Sequence, residues 1–190
     1  MRTTIARMAA ALSVAAAGVF ATTGQAQMLD QAQDMLGATF SVETLNWQQE
    51  IQVGLAGQLA QIDIYVTTPG SAMFYVGANG PWASEPYDFV LDFDTAETGW
   101  HSIDVSSADL VFDVGDTFAL GMMGTDGGLW IGGGYIGDGI GPYPGDLWVN
   151  GVVYPIPGWD FAFHTWVVPA PGALAIFGLT GLIGPRRRRA

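Results

Sequence analysis

The chain has no cysteine and no lysine, and its six arginines are all terminal: Arg2, Arg7, Arg186, Arg187, Arg188 and Arg189. Without cysteine there is neither a disulfide framework nor a thiolate metal site. Without lysine there is neither a P-loop nor a Schiff-base enzyme. The 18 acids, in contrast, all lie between Asp30 and Asp160. A length of 190 residues allows one domain, and its body holds no Lys or Arg at all. A basic surface for nucleic acid is thereby excluded. So is any conventional ion pair within the body, where only His101, His164 or a terminal amine can be cationic.

Both ends carry patterns of export. Arg2 and Arg7 precede a 14-residue apolar run, Met8 to Ala21, which is too short for a comfortable membrane span. Gly24 and Ala26 then place small residues at the −3 and −1 positions of a cleavage site. Residues 1–26 are therefore expected to be a helical signal peptide cut after Ala26. At the other end, Pro169-Ala170-Pro171-Gly172 leads into the apolar run Ala173 to Gly184, then Pro185 and the four arginines. As a helix that run spans ~18 Å, against a hydrocarbon core of ~30 Å. Positive charge at its end would stay on the cytoplasmic side of the inner membrane and leave the acidic body across it. The pattern describes a tail held briefly in a membrane.

Pro169, Pro171, a short Gly/Leu/Ala-rich apolar helix and the run Arg186, Arg187, Arg188 and Arg189 together resemble the PEP-CTERM sorting signal of exopolysaccharide-producing Gram-negative bacteria. The resemblance covers Val168 to Ala190 and departs from the pattern at Ala170, where the family has Glu. It implies recognition by an exosortase, a membrane-embedded cysteine transpeptidase. It also implies delivery to the cell surface, outer envelope or extracellular matrix through a transiently membrane-anchored precursor. It implies sorting and not an activity.

Residues 27–168 read as an all-β body, and 169–190 as the sorting signal. Met28 to Leu36 suggests a short amphipathic helical turn or a flexible leader. After it, alternation prevails. Leu59, Gln61, Asp63 and Tyr65 fall on one side of a strand, and Ala60, Ile62, Ile64 and Val66 on the other. Ile103 and Val105 point inward from a second strand. Phe161, Phe163, Thr165 and Val167 share a face of the last one, opposite Ala162, His164, Trp166 and Val168. Turn residues such as Pro69-Gly70, Asn150-Gly151 and Pro157-Gly158 punctuate roughly eight to ten strands. Gln48 to Gly54, Gly57 to Leu59 and Ile62 to Tyr65 resemble the opening of secreted lectin-like jelly-roll domains. Trp100 to Ile103, Val114 to Leu120 and Asp160 to Phe163 fit the same template. The expected fold is a jelly-roll-like antiparallel β-sandwich, flanked by the signal helix and the short C-terminal helix.

Chemistry-bearing constellations are few. His101 and His164 sit in alternating strands and are expected to be hydrogen-bonded structural residues. No nucleophile elbow or zinc-protease motif is present, so no catalytic residue is assigned and the protein is expected not to be an enzyme. A glycoside hydrolase, needing only two carboxylates, is the least favoured alternative. Self-repulsion among the acids could be relieved by Ca²⁺, with Asp92, Asp94 and Glu97 as the first candidate ligands and Asp138 as another. A solvated acidic surface is the simpler expectation. Aromatic residues in turn-rich stretches offer platforms for an extracellular polysaccharide. The candidates are Trp130, Tyr135, Tyr143, Trp148 and Trp159, with Asp146 and Asn150 beside them for sugar hydroxyls; packing in the core is the competing role for each ring. The function expected from all this is a non-enzymatic component of the cell surface or exopolysaccharide matrix, with a carbohydrate- or calcium-binding module as the alternative.

Overall fold

The computed structural model describes residues 26–43, 45–78, 82, 84–125, 128–135, 142–155 and 158–170. The two expected flanking helices fall on residues 1–25 and 171–190, and Asp138 on the segment 136–141, all outside the described residues. Ala26, the expected cleavage residue, is exposed just ahead of the first strand.

The strands are β1 Met28–Gln33, β2 Ala38–Ser41, β3 Asn46–Gln52, β4 Gly57–Thr68, β5 Gly70–Gly77, β6 Phe89–Thr95 and β7 Gly99–Asp104. They continue as β8 Val111–Phe112, β9 Thr117–Gly124, β10 Trp130–Tyr135, β11 Leu147–Val149, β12 Val152–Val153, β13 Trp159–Phe161 and β14 Phe163–Pro169. Helix is confined, among the described residues, to the 3₁₀ turn Ser106–Ala108, and no described helix is long and apolar enough to cross a membrane.

Two antiparallel sheets pack face to face. The larger runs β1-β14-β4-β10-β13, with β7 and β8 also pairing β4 and β2 pairing β10; the smaller runs β12-β11-β3-β9-β5-β6. Period-two alternation turns one face of each sheet inward. Ile62, Ile64 and Val66 of β4 meet Phe74 and Val76 of β5, Leu120 and Met122 of β9, and Phe163 of β14 in one core. Several polar groups inside it are paired. Gln49 of the smaller sheet accepts from Phe161 N (3.0 Å) and donates to Asp160 Oδ1 (3.1 Å) of the larger one. Gln33 donates to Phe161 O (2.8 Å). Every such pair offsets a desolvation cost that an unpaired group would leave standing.

Two local expectations are corrected. Met28 to Leu36 is not a helical turn: β1 pairs with β14 from Met28↔Val167 to Gln33↔Phe163, and Asp30 Oδ1 accepts Gly54 N (2.9 Å) and Leu55 N (2.6 Å). A nine-residue helix alone is marginal in water, whereas a strand here satisfies an edge of β14. Leu59 is not on the polar side of β4. A register shift pairs Trp166 with Gln61 and Val167 with Leu59, so Ala60 is an extra residue and Leu59 turns into the core.

The outer face of the smaller sheet is built around one glycine. Gly121 of β9 lies opposite Tyr75 of β5, whose ring occupies the space a Cβ at Gly121 would need (Cζ at 2.0 Å). Lying there, Tyr75 donates to Asn46 Oδ1 and accepts from Gln48 Nε2 (2.7 Å). Tyr87 stacks on it at 3.8 Å, so the segment before β6 covers this face.

Candidate functional site

The larger sheet leaves its outer face uncovered along β14, β4 and β7, and there the alternation gathers a polar and aromatic cluster. β4 lies between the other two: Asp63 pairs with His164 on one side and Ser102 on the other, and Tyr65 pairs with Trp100. Strands two apart are ~10 Å distant. Trp100 and His164 nevertheless stack at 4.2 Å with 16° between their planes, so both rings lean over β4. Tyr65 supports the indole edge-on at 5.4 Å.

Asp63 sits beneath this roof with 6% of its surface exposed. Its Oδ2 accepts Trp166 Nε1 (2.7 Å) and faces His164 Nδ1 (3.2 Å); its Oδ1 accepts Gln61 Nε2 (2.7 Å). Burial pushes its carboxyl up, yet the hydrogen bonds from Ser102, Trp166, Gln61 and His164 outweigh that and hold it below the ordinary 3.8. The other ring nitrogen of His164 meets Asp34 Oδ1 at 2.6 Å. With a carboxylate at each nitrogen, both can donate only in the imidazolium form. In that form Trp100 adds a cation–π contact. The two carboxylates lie off opposite nitrogens, so they share no coordination point. Among the described residues no group of three or more acids and histidines is arranged to hold a metal ion.

The residues expected from sequence are dispersed. Tyr143 is in the core, with its hydroxyl accepting Gln52 N (2.8 Å) and its ring against Phe163. Trp159 packs with Phe40, Tyr135 and Tyr154 at one end of the sandwich. Trp148, on β11, is tilted against Trp82. Asn150, at φ 48°, forms the β11–β12 turn with Gly151 and accepts Asn46 N (3.0 Å). Asp146 is exposed, and its N–H donates to Glu50 Oε2 (3.4 Å). Trp130 alone shares the outer face of the larger sheet, next to β4. For calcium, Asp92 and Asp94 point to solvent from β6, while Glu97 closes a turn whose carbonyl meets His101 Nε2 (3.1 Å). These three are not gathered as a metal site.

Sequence reasoning missed Asp34, Gln61, Asp63, Trp100 and Trp166 as a group. A signal for it existed, since the alternation already put Gln61, Asp63 and Tyr65 on one face, and His164 and Trp166 on another. The missing fact was that β4 separates β14 from β7.

A second buried carboxylate behaves oppositely. Asp160, 1% exposed, is pushed up to about 6 by burial, despite bonds from Tyr143 N (3.0 Å) and Gln49. A raised carboxyl favours the folded state below its unfolded value, 3.8, and loses that contribution as pH rises through about 6. The depressed Asp63 contributes above 3.8 and loses its contribution as pH falls below. The melting temperature should therefore peak near pH 4, decline as pH rises to about 6 and level off above it, with the Asp160 part worth about 2–3 kcal/mol. Asp160→Asn should flatten the limb above the peak. A melting temperature that rises steadily from pH 4 to 6 would contradict this.

Fold and face together define an acidic, antiparallel β-sandwich with one open sheet face bearing an aromatic-capped Asp-His-Asp cluster. Comparison with protein-family models, curated proteins and solved structures finds no significant match.

Proposed function

We propose that this protein is an exported, non-enzymatic component of the cell surface or exopolysaccharide matrix, sorted by an exosortase through its C-terminal signal. The fold is proposed to be jelly-roll-like, because successive strands cross repeatedly from one sheet to the other, as β3 to β4, β4 to β5 and β9 to β10 do.

The observation that carries the sorting role is the junction between body and tail. β14 is inserted between β1 and β4, and the ladder runs out at Pro169↔Gly57. One further bond, Ala170 N to Ala56 O (3.3 Å), precedes Pro171. The Pro-Ala-Pro element thus begins where the sheet ends. A transpeptidase acting there would release a complete sandwich and leave no stalk. An acidic body free of Lys and Arg also suits transfer away from the cytoplasmic side.

In a Gram-negative host with an exosortase, the intact chain should yield a shortened form in the surface or matrix fraction. Replacing Arg186 to Arg189 by serine should leave an unprocessed, membrane-bound precursor. Recovery of the uncut chain in the cytosol would refute the proposal.

A further inference from the structure

We propose that the outer face of the larger sheet, centred on Trp100, binds a polysaccharide that carries free amino groups. Such a polymer would be met in the matrix to which the proposed export leads, and to that extent the proposal rests on that role.

Trp100 keeps 40% of its surface exposed although His164 covers one of its faces and Tyr65 its edge. An indole face attracts both the C–H side of a pyranose ring and a cation. Around it the protein offers carboxylates: Asp34, 71% exposed in its side chain, Asp63 beneath, and Asp104 on the same strand as Trp100. Gln61 and Ser102 flank Asp63. Positive charge is what this face lacks, for the body has no Lys or Arg.

The ring of His164 shows how a nitrogen donor is held there. His164 is gripped by a flat stack on Trp100 and by a carboxylate at each nitrogen. An ammonium group on a sugar would meet the same two features, an aromatic face and the exposed oxygen of Asp34. A uronic-acid polymer would be repelled by the 18 carboxylates. A neutral polymer would stack but bring no cation to the exposed oxygen of Asp34. The face spans β1, β14, β4 and β7, which suits an extended chain more than a small ligand.

The test is calorimetry and tryptophan fluorescence with the full-length protein at physiological salt. The probes are β-1,4-linked glucosamine oligomers, their fully N-acetylated counterparts and oligolysine of equal charge. The glucosamine oligomer should bind and quench fluorescence. Trp100→Ala should weaken it at least tenfold, Trp100→Phe less, and Asp34→Asn severalfold. Asp92→Asn with Asp94→Asn, on the other sheet, should change little. Melting curves establish that each variant is folded, and Trp100→Phe keeps the test valid if the alanine variant is not. Equal affinity in Trp100→Ala would mean diffuse attraction to an acidic protein and would overturn the proposal. So would equal binding of the acetylated oligomer, or of oligolysine with the same dependence on Trp100. Failed sorting with intact binding would refute the export role alone, and failed binding with normal sorting this site alone.

Discussion

Asp63→Ala is expected to destabilise the protein by about 3–5 kcal/mol, measured by urea denaturation at pH 6. The carboxylate is nearly inaccessible and receives Trp166 Nε1 and Gln61 Nε2, each at 2.7 Å, and His164 Nδ1 at 3.2 Å. Truncation leaves an indole N–H without its acceptor beneath the Trp100 roof, and His164 facing Asp34 alone. Unmade bonds to buried groups cost far more than the net gain of making them. Asp34→Asn is the internal comparison. Its side chain is largely exposed, and the pair it forms should be worth under ~1 kcal/mol. If the two variants are equally stable, the cluster does not hold the face together.

Gly121→Ala should destabilise by about 3 kcal/mol, although alanine is ordinarily the better strand residue. The added Cβ would lie 2.0 Å from Tyr75 Cζ, and Tyr75 is fully buried. The ring must leave, taking with it the bonds to Gln48 and Asn46 and the 3.8 Å stack with Tyr87. In a Tyr75→Ala background the same glycine replacement should cost almost nothing. A double-mutant cycle measures the coupling directly. Additive effects would show that the ring has another place to go.

Much of the fold was legible because a strand records its environment every second residue. The alternation of Ile62, Ile64 and Val66, and of Phe163, Thr165 and Val167, matches the faces that the sandwich buries. Leu59 broke the pattern because a bulge at Ala60 shifts the phase, and a bulge depends on the partner strand, not on the bulged one. β1 lies in Met28 to Leu36, which by sequence suggests a short amphipathic turn or a flexible leader. Its structure comes from the open edge of β14, which lies more than a hundred residues away.

The site was the least legible part. Trp159 and Tyr143 looked like platform residues because they occur among glycines and prolines, yet turn-rich sequence also wraps the end of a sandwich, where rings fill the core. Trp100, His164 and Asp63 are separated by 37 and 101 positions counted from Asp63, and nothing local marks them as neighbours. Pairing across β4 brings them together.

Sequence alone determined the charge of this protein, its lack of thiol and amine chemistry, its strand-forming periodicity and the export-like patterns at its ends. Each follows from residue type and order, which folding does not alter. Tertiary structure decided which acids are buried, which aromatic rings meet solvent, and which carboxylates face His164. Those depend on strand register, and register is settled by hydrogen-bond partners far away in the chain.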